Sequence, residues 1–269
     1  MPLVLCAVWD NLARSVIFTG FATLGNSIIR RMRCLDLTLD SPAENLALDE
    51  TLLLAAEASV EGKIIANGAG SEVASDAAQT ATDRELVRLW EPRDPLVVVG
   101  RSTNVGVEVN EAACRERNIP ILRRSSGGAA IVAGPGCLMY AVILSYERRP
   151  HLRFIDQIHA FVLESLVQEL SKQLPGVARQ GISDLAWHGK KFSGNSVRCK
   201  REHVLYHGTL LYDFPLALVT ELLNMPPRQP DYRAGRSHSD FLTNVPLSAA
   251  TLRYVVRNAF DAHDDARKG

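Results

Sequence analysis

Arg123-Arg124-Ser125-Ser126-Gly127-Gly128-Ala129-Ala130 joins two guanidinium groups to six small residues, between the apolar pair Ile121-Leu122 and the apolar run Leu138 to Leu144. The flanking segments read as strands, the second of them buried, so the stretch is a loop leaving a sheet. A turn of small residues exposes backbone N–H groups and lets a ligand come close. Arginines beside it would add forked donors for carboxylate or phosphate oxygens. The same stretch also reads as a hairpin turn with solvated arginines, and it has neither the Walker spacing nor the dinucleotide fingerprint.

Working upstream, Leu96 to Val99 and Leu86 to Trp90 are two further strands, separated by the Pro92 and Pro95 turn, and Asn110 to Asn118 is a short helix. Gly62 to Thr82 is rich in Ala, Gly, Ser and Asp and reads as a mobile surface loop. A helix is expected from Ala43 to about Ala58 after Ser41-Pro42, and a strand from Cys34 to Leu39. Downstream, Phe154 to Leu170 repeats apolar residues at helical spacing. Asp184 to Trp187, Lys190 to Ser193 and His203 to Tyr212 read as strands. Pro215 to Leu223 and Ser248 to Phe260 read as helices begun by Asp213 and Ser248. Strands and helices mix without regular alternation, which predicts an α+β fold with mixed β-sheets packed with helices.

A second constellation is Gly189-Lys190-Lys191-Phe192-Ser193-Gly194-Asn195-Ser196, followed by His207-Gly208-Thr209-Leu210-Leu211. A lysine on a strand running into a small-residue turn can neutralise a phosphate or polarise an acyl oxygen. It also reads as an ordinary hairpin with a solvated lysine.

The chain has 269 residues, 46% of them hydrophobic, with 30 basic and 30 acidic side chains. That is enough for a sizeable core, and the balanced charge gives no field to draw the chain to nucleic acid or an anionic membrane. Five cysteines are scattered without a C-x-x-C pair, so neither a zinc site nor a disulfide framework is suggested and a reducing cytoplasm fits. Val16 to Ile29 is too short and interrupted for a membrane span. Residues 1–31 are expected to be an extension, either a targeting peptide or untranslated sequence before a start at Met32. Residues 32–260 are expected to form one catalytic domain and 261–269 a tail.

Taken together, these segments resemble the lipoate-protein ligase A family. Asn45-Leu46-Ala47 with Asp49-Glu50, Leu89-Trp90, and Val97-Val98-Val99-Gly100-Arg101 with Asn104 resemble its opening helix and strands. Arg123 to Gly128 resembles its substrate loop. Asp184-Leu185, Gly189 to Gly194, His207 to Leu211, Leu223-Asn224 and Thr243-Asn244 continue in the family's order. The resemblance covers roughly Met32 to Val245.

It implies a biotin/lipoate protein ligase-like catalytic domain that activates lipoate with ATP and Mg2+ and transfers the lipoyl group to a carrier lysine. Lys191 matches the family's active-site lysine. Substrate or adenylate contacts are implied for Arg101, Asn104, Arg123, Arg124, Ser125, Ser126, Gly127, Gly128, Ser193, Gly194, His207, Gly208 and Thr209. Asp184 is a candidate for positioning the metal or the incoming amine. The implied partners are lipoyl domains of 2-oxoacid dehydrogenase E2 subunits or the glycine cleavage H protein.

The sequence departs from the pattern in two places. Ala129 stands where the family has a third glycine, and Ala133-Gly134 where it has His-Asp. The loop is therefore less polar than the family's, and the loss of His-Asp leaves the acyl group open. Many relatives also carry a small C-terminal domain needed for adenylation, so a separate accessory subunit, or an enzyme that only transfers, is expected. Two other readings remain: an octanoyltransferase or lipoyl amidotransferase, which needs a cysteine nucleophile, and a non-catalytic lipoyl-binding protein.

Overall fold

The structure is a computed structural model that describes residues 32–67 and 85–264. The expected extension at 1–31, most of the expected loop before Glu85 and the end of the expected tail lie outside the described residues.

Eight strands form one sheet in the order β11-β1-β2-β6-β10-β9-β8-β7. They are β1 (Met32–Asp36), β2 (Leu86–Trp90), β6 (Cys137–Ser145), β7 (Val177–Gln180), β8 (Asp184–Trp187), β9 (Lys190–Cys199), β10 (His203–Leu211) and β11 (Ala262–Asp264). A second sheet has the order β4-β3-β5, from β3 (Leu96–Val99), β4 (Ile121–Arg123) and β5 (Ile131–Ala133). Parallel pairs (β1 with β2, β3 with β4) sit beside antiparallel ones (β6 with β10, β9 with β10), giving the expected mixed sheets. All nine residues of β6 are buried, which is why its sequence is apolar without alternation.

The helices are α1 (Pro42–Asn67), α2 (Val105–Glu108), α3 (Glu111–Glu116), α4 (Ile155–Leu170), α5 (Ala217–Leu222), α6 (His238–Phe241) and α7 (Ala249–Ala259). α4 buries Ile158, Val162, Leu163, Leu166 and Leu170, one stripe at helical spacing, and packs on α7. Ser248 caps α7 as expected, its side chain accepting from Thr251 N.

Several boundaries differ from expectation. α1 runs on to Asn67, through Gly62-Lys63-Ile64-Ile65-Ala66, where a loop was expected, because four good or moderate helix formers outweigh one glycine. Asp213 does not cap α5, which starts after Leu216 without a side-chain cap. β9 continues six residues past Ser193, and Ala262–Asp264 of the expected tail pairs in parallel with β1. Among the described residues no helix is long and apolar enough to cross a membrane.

Candidate active site

Lys191 lies near the start of β9, where the pairing with β8 slips between Leu185 and Ala186, so that Leu185 faces Ser193 while Ala186 faces Lys191. The irregularity re-aims the strand's side chains. Lys191 Nζ sits 2.8 Å from Asp184 Oδ1, and Asp184 Oδ2 accepts a 2.8 Å hydrogen bond from the Tyr232 hydroxyl. Burial, with Asp184 adding to it, holds the Tyr232 hydroxyl above its ordinary pKa, so it stays a donor. Both Asp184 oxygens are therefore engaged. Among the described residues no three His, Cys, Asp or Glu side chains converge as a metal site. Asp184, a candidate for positioning the metal or the incoming amine, is paired with Lys191 in this structure.

The arginine-glycine loop is held from inside. Arg124 is buried, donating from Nε to Gly127 O (3.0 Å), from Nη1 to Val98 O (3.2 Å) and from Nη2 to Gly127 O (2.5 Å) and Ala129 O (2.9 Å). Burial lowers its pKa to about 10, with Glu108 opposing. Arg123 is exposed and its Nη1 donates to the carbonyls of Gly100, Arg101 and Thr103. In this structure both guanidinium groups collect loop carbonyls, and Arg124 also lines the cavity described below. Gly127 O also accepts from Ser196 Oγ at 2.8 Å. The amides of Gly127 and Gly128 donate to no described group, so their N–H groups are free for a ligand. Gly128 has φ +90°, a conformation that disfavours any side chain, and a Cβ on Gly100 would lie 2.1 Å from Gly128 O.

A buried chain of polar groups ties this loop to α1. Ser126 Oγ and His207 Nε2 are 2.6 Å apart, and His207 Nδ1 lies 3.7 Å from Asp49 Oδ2. Asp49 Oδ1 accepts from Arg88 Nη1 at 2.6 Å, and Arg88 also reaches Asn45 Oδ1 (2.6 Å), Asn45 O (2.8 Å) and Leu37 O (3.1 Å). Asn45 and Asp49 are four residues apart and so share one helix face. The acidic and amide residues of the opening helix motif thus fix helix, strand and loop together.

Between these elements lies a cavity of about 760 Å³, within the usual range for small-molecule sites. Leu46, Val98, Val132, Met139, Leu211, Val219 and Leu223 give it apolar walls, and Arg124, Asp184, Lys191, His207 and Thr209 give it polar ones. Of the expected site residues, Gly128, Ser193, Gly194 and Gly208 also line it. Arg101, Asn104, Arg123, Ser125, Ser126 and Gly127 do not. Arg101 and Asn104 are exposed, while Ser126 is buried and acts through His207.

The sequence reading missed Glu108, Tyr232 and Arg233, which also line the cavity. Glu108 Oε2 accepts from Ala130 N at 2.7 Å. Tyr232 and Arg233 come from the Pro-Arg-rich stretch after Leu223, which carries no periodicity. The Thr243-Asn244 motif closes that stretch: Thr243 N donates to Lys191 O at 2.9 Å, and Asn244 pairs with both main-chain groups of Phe214.

Mixed sheets enclose a cavity with apolar walls and one lysine among its polar lining residues, and comparison with known proteins identifies the family. Residues 41–249 match the family described as the lipoyl protein ligase A/B catalytic domain, and the chain belongs to that family. It is similar to a probable lipoate-protein ligase A of Mycoplasma pneumoniae, 28% identical over 141 residues covering 52% of this chain and 40% of that one. The fold is similar to that of a putative lipoate protein ligase from T. acidophilum with bound lipoic acid (TM-score 0.63, 18% identity, 87% of this chain and 88% of that one). It is also similar to lipoate-protein ligase A bound with ATP (TM-score 0.61, 20% identity, 86% and 84%). The matched stretches span 40%, 39% and 54% of the lengths of three curated relatives.

Proposed function

We propose that the chain is a lipoate-protein ligase: it activates lipoate with ATP and passes the lipoyl group to a lysine of a carrier domain. The observation that carries this reading is a cavity whose apolar walls suit a medium acyl chain and whose lining includes both Lys191 and Gly128, the amide of which is uncommitted. Family membership and the ligase names of its relatives support it.

A carboxylate is too poor an electrophile for amide formation, so two steps are required. A lipoate oxygen attacks the α-phosphorus of ATP and pyrophosphate leaves. The carrier lysine nitrogen then attacks the acyl carbon, AMP leaves with the bonding electrons, and the nitrogen loses a proton. Lys191 offsets negative charge on the acyl and phosphate oxygens as each bond forms. The Gly128 amide, at the cavity wall, holds the acyl end, and Asp184 with Tyr232 keeps the ammonium aimed. Magnesium takes few protein carboxylates and mostly phosphate oxygens and water in nucleotide sites. Glu108, Asp184 and Asp231 line the cavity, and of these Asp184, already shared with Lys191, would help to hold a magnesium ion that would neutralise phosphate charge. The carrier is a lipoyl domain of a 2-oxoacid dehydrogenase E2 subunit or the glycine cleavage H protein.

The cysteine-dependent transferase is the weaker reading. No described cysteine lines the cavity, and burial pushes the Cys137 thiol up to about 12, far from a reactive thiolate. Cys199 is exposed at the far end of β9. Purified protein with a lipoyl domain, lipoate and Mg-ATP, with and without cell extract, is compared with octanoyl carrier protein lacking ATP. Modification in the first mixture is expected. Modification only in the second would overturn the ligase reading, and none in either would favour a binding protein.

A further inference from the structure

Arg233 is 4% exposed and lines the cavity on the side of Asp184 and Tyr232. Its guanidinium lies 4.7 Å from the Phe241 ring centre. Nε donates to Arg236 O at 2.9 Å, and Nη2 lies 3.3 Å from both Met225 Sδ and His238 Nδ1. Among the described residues no carboxylate is within ion-pairing distance of it, and Nη1 donates to none of them. The nearby carboxylate, Asp184, is already shared by Lys191 and Tyr232.

A buried cation without a counter-charge is costly, and chains keep one where a partner arrives from outside. The neighbouring Arg236 differs: its three nitrogens donate to Arg233 O, Gly189 O and Tyr232 O. It is a brace that fixes the Asp231–Arg233 turn, whereas Arg233, which lines the cavity, keeps Nη1 without a partner among the described residues.

We infer that Arg233 is the oxyanion-binding residue of this cavity, taking the lipoate carboxylate before activation or the phosphate of the lipoyl adenylate after it. The inference rests on the acyl-adenylate reading of the cavity. A guanidinium held on an aromatic face by two of its nitrogens presents the third in a fixed direction, which suits a planar carboxylate or a phosphate edge. Arg228, also at the cavity, is exposed and carries its charge in water, where it is worth little.

The test is calorimetric titration of wild type and Arg233→Met with lipoate, with its neutral amide lipoamide, and with AMP. The expected result is a loss of roughly tenfold or more in affinity for lipoate, for AMP or for both, with lipoamide binding unchanged. Loss for lipoate assigns the carboxylate, and loss for AMP the phosphate. A folded variant that binds both anions like wild type overturns the inference. If Arg233→Met does not fold, Arg233→Gln, which keeps a donor for Arg236 O, is judged by the same two outcomes. Failure of the ligase reading is separable. A wild type that binds inorganic phosphate through Arg233, but neither lipoate nor AMP, would keep the oxyanion site and remove its assignment to lipoyl adenylate.

Discussion

Lys191 and Asp184, on adjacent strands β9 and β8, form a 2.8 Å ion pair in which the lysine side chain is 26% exposed and the carboxylate 9%. The lysine therefore reaches the cavity already oriented. A Cβ added at Gly194 would lie 3.0 Å from both Lys191 Cε and Nζ. Asp184→Asn and Gly194→Ala are predicted to lower transfer by roughly tenfold or more while leaving the melting temperature near wild type, because small displacements of a positioned group are costly. Steady-state rates beside thermal melts check this, and normal turnover in both variants would remove Asp184 from its orienting role.

Arg88 and Asp49 are both buried, and Arg88 also satisfies Asn45 and Leu37 O. Arg88→Met should destabilise by about 3–5 kcal/mol, since it strands a buried carboxylate. Chemical denaturation measures it. A loss below about 1 kcal/mol would mean that the network is not what locks α1 to the sheet.

Gly100→Ala places a Cβ 2.1 Å from the Gly128 carbonyl, backbone against backbone. The loop must move away from β3, so substrate affinity should fall more than the maximal rate of the molecules that remain folded. Unchanged lipoate affinity in this variant would show that the loop tolerates displacement and is not a substrate cradle.

Burial lowers the pKa of His159, His203 and His238 from the ordinary 6.5. Each folded value lies below its unfolded one, so the unfolded chain binds more protons in that window. Stability should be full above about pH 6.5 and fall as pH drops below it towards the folded values. Melts between pH 7.5 and 5.5 are expected to show a falling midpoint; a midpoint that rises on acidification would contradict the histidine account.

Much of this architecture was legible from apolar patterning. The unbroken apolar run of β6 and the helical stripe of α4 carry their burial in their spelling. β5 and β7 do not, being three and four residues long and formed only by pairing with β3 and β8. Gly194-Asn195-Ser196 reads as a turn because those residues are poor strand formers, yet β10 pairs across it and keeps β9 extended. At the site, Lys191 and the small-residue loop were visible as motifs. The partners of each arginine were not, because whether a guanidinium meets a carbonyl or a cavity is decided by tertiary contacts. Arg124 and Arg233 look alike in sequence; the first spends its donors on Val98, Gly127 and Ala129, and the second keeps one.

The most direct test of the account bypasses activation: lipoyl-AMP prepared separately is mixed with a lipoyl domain, and the domain's mass is followed in a single turnover. Wild type should transfer the lipoyl group far faster than buffer, and Lys191→Ala should lose roughly a hundredfold or more of that rate. A wild type no faster than buffer, or a Lys191→Ala variant that keeps pace with it, would contradict the claim that this cavity is where the acyl group changes hands.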